Sequence, residues 1–279
     1  VPDGFGQRLV AAFDTWGQLC VGVDPHPYLL RDWGLSDDAD GLLAFGLAVV
    51  DAAAGRAGIV KPQVAFFERH GSAGYAALER VLAAARDAGL IAIADVKRGD
   101  LGTSVEAYGQ AWLTPGSPLE ADAMTISAYQ GVGSIEAPMR LAEQVGKGLF
   151  VLGATSNPEA RGIQTAVTAE GTTVAASIVD DVVRWNSGNG QAVGSIGVVL
   201  GATVDFGEYG IDLATLAATP VLAPGFGHQG AEYADLGTIY GAAAPLAVVS
   251  SSRSILQAGP DGIVEAVTRQ AAEVAACRA

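Results

Sequence analysis

The sequence predicts an α/β protein folded as a single (β/α)8 TIM barrel. Three observations lead there. Eight short apolar runs are spread along 279 residues, and patterned segments with apolar residues at three- and four-residue steps lie between them. Strand then helix, repeated in about 250 residues, matches the size of a closed parallel barrel. An open doubly wound sheet would share the alternation, but the first strand leads into VDPHPYL, not a Gly-rich dinucleotide loop.

Residues 1–18 are expected to form a helix that closes the bottom of the barrel. LCVGV (19–23) reads as the first strand, followed by the amphipathic segment DGLLAFGLAVVDAAAG (40–55). GIVKPQV (58–64) is the second strand, with GYAALERVLAAARDAG (74–89) after it. LIAIADV (90–96), ADAMTIS (121–127) and GLFVLG (148–153) are the third to fifth, and GTTVAASIVDDVVRWN (171–186) is the helix after the fifth. VGSIGVVLG (193–201), PVLAP (220–224) and PLAVVS (245–250) complete the set, and DGIVEAVTRQAAEVAA (261–276) closes the chain. No linker, charge block or low-complexity tract interrupts this order, so residues 1–279 are expected to form one domain.

Composition narrows the function. The chain is half hydrophobic and carries 30 acidic against 16 basic residues, a net charge of −14. No broad basic surface is available for nucleic acid or an anionic membrane, so an anionic ligand must meet a local cluster of Arg, Lys and backbone N–H groups. Cys20 and Cys277 provide neither a disulfide framework nor a zinc spacing and suit a reducing cytoplasm. The N-terminal stretch lacks a basic segment leading into a long apolar run, and no segment is long enough to cross a bilayer, so a soluble, unexported protein is expected.

Barrel chemistry lies at the C-terminal ends of the strands. Asp24 follows the first strand, Lys61 lies in the second, and Asp95, Lys97 and Asp100 close the third. Ser127 ends the fourth, and Thr155, Ser156 and Asn157 follow the fifth. Asp95 and Lys97 are two apart, so on an extended strand they share a side, and with Lys61 and Asp100 they offer an alternating chain of acids and bases. A lone D-x-K is more often a solvated loop; partners at the ends of strands 1 and 2 weigh against that here. PGFGHQG after strand 7 and SSSRS after strand 8 look like a phosphate grip, with Arg253 opening a short helix. His26 and His228 read as loop residues, since neither has the spaced partners of a metal site.

These residues resemble a known family. DVKRGDLGTS (95–104) is similar to the D-x-K-x-x-D signature of orotidine 5′-monophosphate decarboxylases, and KPQVAFFERHG (61–71) to the second strand of their longer bacterial subclass. APGFGHQG and SSRSI match the family's phosphate loops in order and spacing, and the likeness runs from about Val21 to Ile255. The resemblance implies a TIM-barrel carboxy-lyase that needs no cofactor or metal and converts orotidine 5′-monophosphate to UMP and CO2 in pyrimidine biosynthesis. It makes Lys61, Asp95, Lys97 and Asp100 the catalytic network, with Lys97 the proton donor. It also implies a homodimer with shared sites, Asp100 reaching into the partner's. Asp24 would hold the ribose, Ser156 the pyrimidine, and Gln229 and Arg253 the phosphate, with Pro224 a further substrate contact. Leu101 and Ser104 stand where shorter members have Ile and Thr, with Ser104 a substrate contact across the subunit boundary.

Three other readings remain open on the residues. A magnesium-dependent sugar-phosphate decarboxylase needs an acid near the end of strand 2, where this chain has Lys61, with Glu68 farther on. A Schiff-base aldolase needs a neutral lysine, which flanking carboxylates oppose. A non-catalytic nucleotide binder has no use for the charged network.

Overall fold

The computed structural model describes residues 4–227 and 230–277. Each apolar run contains a strand: β1 Leu19–Val23, β2 Ile59–Pro62, β3 Ile91–Arg98, β4 Ala123–Ile126, β5 Gly148–Ala154, β6 Ile196–Leu200, β7 Val221–Pro224 and β8 Ala247–Ser251. They pair in parallel in sequence order, and β8 closes on β1 with Leu19 opposite Val249.

The two faces of the barrel wall separate the core into two clusters, as a side-chain period of two requires. Leu19, Val21, Val60, Ala92, Leu149, Val198 and Val221 pack outward against the surrounding helices. Cys20, Ile59, Ile91, Ile93, Phe150, Val199, Leu222 and Val248 form a second cluster with Phe5, Leu9 and Phe13 of α1 (Phe5–Trp16). This helix therefore plugs the N-terminal mouth of the barrel. The Phe5 and Phe150 rings meet edge to face at 5.9 Å. Gly148 opens β5 because a Cβ there would lie 2.3 Å from the Phe5 ring. Arg8 ties the same helix to Asp122 at 2.8 Å, and Asp122 also accepts from the backbone N–H of Ala92.

The connecting helices include Ala39–Ala53, Gly71–Asp87, Gly102–Leu113, Glu136–Gln144, Val174–Ser187 and Gly259–Ala276. Asp38 and Thr173 cap two of them by accepting from the N–H groups of Gly41 and Ala176. The strict eightfold alternation expected from the sequence breaks after β6, where the connection holds only a 3₁₀ turn at Leu213–Leu216, and thins after β7 to the five-residue helix Leu236–Tyr240. The cause is local. Asp205 accepts from the N–H groups of Gly207 and Glu208, and Asp212 from that of Ala214, so side chains take the donors that a helix would use. Among the described residues no helix is long and apolar enough to cross a membrane. With one mouth filled by α1, the C-terminal mouth is left for chemistry.

Candidate active site

β3 extends to Arg98, two residues past the apolar run, and its pairing with β4 shifts between Ala94 and Arg98. Within the irregularity Lys97 has φ +47°, the left-handed region, and it is the one non-glycine residue there among those described. Such a backbone costs about 1–2 kcal/mol. Asp95 and Lys97 meet as anticipated, with Nζ 2.6 Å from Oδ1, but across the register shift and not through strict alternation. Arg98 turns outward and donates to Glu68 at 2.7 Å and to the Tyr75 hydroxyl at 3.2 Å.

Asp95 is the hub of the site. Its Oδ2 accepts from Lys61 Nζ at 3.0 Å and from Gln63 Nε2 at 2.9 Å. Its Oδ1 accepts from Lys97 Nζ and from the Thr125 hydroxyl at 2.9 Å. Four donors fill the four lone-pair directions of the carboxylate. Burial alone would raise the Asp95 pKa, but the ammonium groups of Lys61 and Lys97 outweigh it and hold the carboxyl well below the usual carboxylate range. Burial would likewise neutralise Lys61; Asp95 and then Asp24 reverse this and hold it protonated, above the usual lysine value. Beneath them the Cys20 thiol is pushed up to about 12, chiefly by burial, and stays protonated.

Lys61, Gln63 and Asp95 line a cleft of about 190 Å³ at the C-terminal mouth together with Asp24, His26, Pro224 and Arg253. Asp24 Oδ1 is buried and has no hydrogen-bond partner among the described residues. The His26 ring lies 4.3 Å from that of Phe66, and burial lowers its pKa, favouring the neutral imidazole. A larger groove of about 550 Å³ runs along the flank between Arg140, Glu143 and Trp185, away from the strand ends and the ionised network.

The cleft thus gathers Asp24, Lys61, Asp95, Pro224 and Arg253, with Lys97 reaching it through its bond to Asp95. Asp100 is not joined to them within the chain: its carboxylate accepts from the N–H of Leu101 at 2.9 Å. The chain turns toward it at Gly99, where a Cβ would sit 2.7 Å from the Ser127 carbonyl oxygen, so only glycine passes the end of β4 this closely. Ser104 lies exposed on the helix Gly102–Leu113, and Leu101 before it is 59% exposed. Ser156 is exposed on the loop after β5, outside the cleft lining; Gln164 pins that loop by accepting from the Thr155 N–H and donating to its hydroxyl. Gln229 and His228 lie outside the described residues. Two residues that the sequence reading passed over, Gln63 and Thr125, are direct partners of Asp95. Each lies two positions from a polar residue already singled out, Lys61 and Ser127, and the period of two was the signal that could have found them.

Comparison with known proteins adds an independent line. Residues 17–268 match the model of the orotidine 5'-phosphate decarboxylase / HUMPS family. The orotidine 5'-phosphate decarboxylase of Salinispora arenicola is 49% identical over 279 residues, covering 99% of this chain and 98% of its own. That of Streptomyces coelicolor is 46% identical over 258 residues, 92% of this chain and 91% of its own. A crystal structure of a Streptomyces avermitilis protein assigned to the same enzyme superposes with a TM-score of 0.93 at 45% identity, covering 99% of this chain and 96% of that one. The OMP decarboxylase of Leishmania donovani superposes at 0.76 with 25% identity, over 99% and 98% of the two chains.

Proposed function

Because the chain belongs to the orotidine 5'-phosphate decarboxylase / HUMPS family, we propose that it decarboxylates orotidine 5′-monophosphate to UMP and CO2 in pyrimidine biosynthesis. The observation that carries this reading is the Asp95 carboxylate held between two ammonium groups in a cleft that also contains Arg253 and a buried carboxylate oxygen of Asp24 with no partner among the described residues.

In this reaction the bond from C6 of the pyrimidine to the carboxylate breaks, and its electron pair remains on C6. Lys97 Nζ stabilises that charge and delivers the proton that replaces CO2, and solvent restores the ammonium. Asp95 holds the ammonium in place and lies beside the departing carboxylate; Lys61 keeps Asp95 ionised. Asp24 Oδ1, which has no hydrogen-bond partner among the described residues, takes a ribose hydroxyl. Ser156 contacts the pyrimidine once its loop closes, Gln229 and Arg253 hold the phosphate, and Pro224 is a further substrate contact. The reaction as written requires no cofactor or metal.

A homodimer completes this site. Asp100 stands apart from its own network while Leu101 and Ser104 beside it face outward, which supports Asp100 and Ser104 serving the partner's cleft. A charged nucleotide substrate and two unpaired cysteines suit the cytoplasm. The family's sugar-phosphate branch is disfavoured by Lys61 standing where a magnesium ligand would be needed and by Glu68 being engaged with Arg98. A Schiff-base role is disfavoured because Asp95 keeps Lys61 protonated.

The test is the fall in absorbance of orotidine 5′-monophosphate on adding chelator-treated protein. Wild type turns over, whereas Lys97→Ala binds UMP and does not turn over. Substantial decarboxylation by Lys97→Ala would place the proton donor elsewhere.

A further inference from the structure

The end of β4 carries a buried hydroxyl that joins the backbone and the side chain of Lys97 to a single carboxylate. Thr125 is 1% exposed and sits two residues before Ser127, facing Asp95. Its Oγ1 accepts from the Lys97 backbone N–H at 2.9 Å and donates to Asp95 Oδ1 at 2.9 Å. The same Oδ1 accepts from Lys97 Nζ at 2.6 Å. The three bonds form a closed ring running from the Lys97 backbone through Thr125 and Asp95 to the Lys97 ammonium.

From this ring we propose that Thr125 is a positioning residue for the proton donor, resting on the role given above to Lys97. The physical need is specific. Lys97 lies at the shift in β3–β4 register with a left-handed backbone, so its N–H is directed away from the regular ladder and needs an acceptor there. Thr125 is buried on β4 and its hydroxyl is engaged on both sides, so the hydroxyl's direction is set by its two partners and not by solvent. One hydroxyl therefore holds the strained turn and aims the carboxylate that steers the ammonium. The Lys97 side chain is 48% exposed and would otherwise sample many rotamers, so its approach to the substrate depends on this anchoring.

Thr125→Val keeps the shape and removes the hydroxyl; Thr125→Ser keeps the hydroxyl. In Thr125→Val, kcat is expected to fall roughly ten- to a hundredfold, the size of losing a buried hydrogen-bond partner, with KM and UMP affinity by calorimetry within about threefold of wild type. Thr125→Ser should recover kcat to within about threefold of wild type. Should Thr125→Val not fold, Thr125→Ser and Thr125→Ala differ by the hydroxyl alone and carry the same comparison. Wild-type kcat in Thr125→Val alongside an inactive Lys97→Ala overturns the role of Thr125 and leaves the proposed function standing. Equal loss in the Ser and Val variants overturns it too, because the methyl group and its packing would then be responsible. Activity in Lys97→Ala is the separate result that removes the reading on which this one rests.

Discussion

Replacing Asp95 by Asn tests the hub of the site with almost no change in shape. The carboxylate offers acceptor positions to Lys61, Gln63, Lys97 and Thr125. An amide has one accepting oxygen, so its NH2 group must face two of these donors. The least costly orientation keeps the oxygen toward Lys61, whose side chain is 7% exposed and cannot rehydrate, and turns the NH2 toward Lys97, which is 48% exposed and can. Breaking a buried ion pair outright costs about 3–5 kcal/mol and losing a charged hydrogen bond about 1.5–3, so a value near 3 kcal/mol is expected. For a domain of this size that lowers the melting temperature by about 6–12 °C. Lys97 loses its anchor at the same time, so kcat should fall by about a thousandfold or more. Acidification gives a second check. Asp95 is held below its unfolded value, so its stabilisation is complete above about pH 3.9 and is lost as pH falls toward the native value, by about 1.4 kcal/mol per unit. Asn carries no such proton, and the gap between wild type and variant should narrow below about pH 4. Urea denaturation at pH 7 and at pH 3, with the absorbance assay, measures all of this. A melting point within about 2 °C of wild type, or a stability gap unchanged between pH 7 and pH 3, would refute the four-donor account.

Two further outcomes concern the ends of the substrate site. Lys97→Ala and Asp100→Ala subunits, each inactive alone, should regain roughly a quarter of wild-type sites when unfolded and reassembled in equal amounts, since half the dimers are mixed and each of these has one intact site. A verified heterodimer without activity would keep Asp100 within its own chain. Arg253→Ala should lose about 2–5 kcal/mol in kcat/KM for the nucleotide, while the nucleoside lacking phosphate reacts equally poorly with both proteins. An equal loss on the nucleoside would make Arg253 structural.

The barrel was legible because a parallel strand buried on both faces must be an apolar run, and all eight runs hold strands. Asp24, Lys61, Asp95 and Arg253 were legible for a related reason: a charge at the end of such a run has nowhere to lie but the barrel mouth. The sixth connection was misread because its Asp and Gly residues make local turns, which leave no periodic trace.

Sequence alone determined which residue types stand at the ends of which strands, since that follows from chain order once the barrel closes. Only the tertiary structure decided how they meet. The left-handed backbone at Lys97, the Thr125 hydroxyl that accepts its N–H, and the convergence of four donors from β2, β3, β4 and Gln63 on one carboxylate depend on the register between strands. That register is set by pairing across 28 to 34 residues of chain, a distance at which no local pattern carries information.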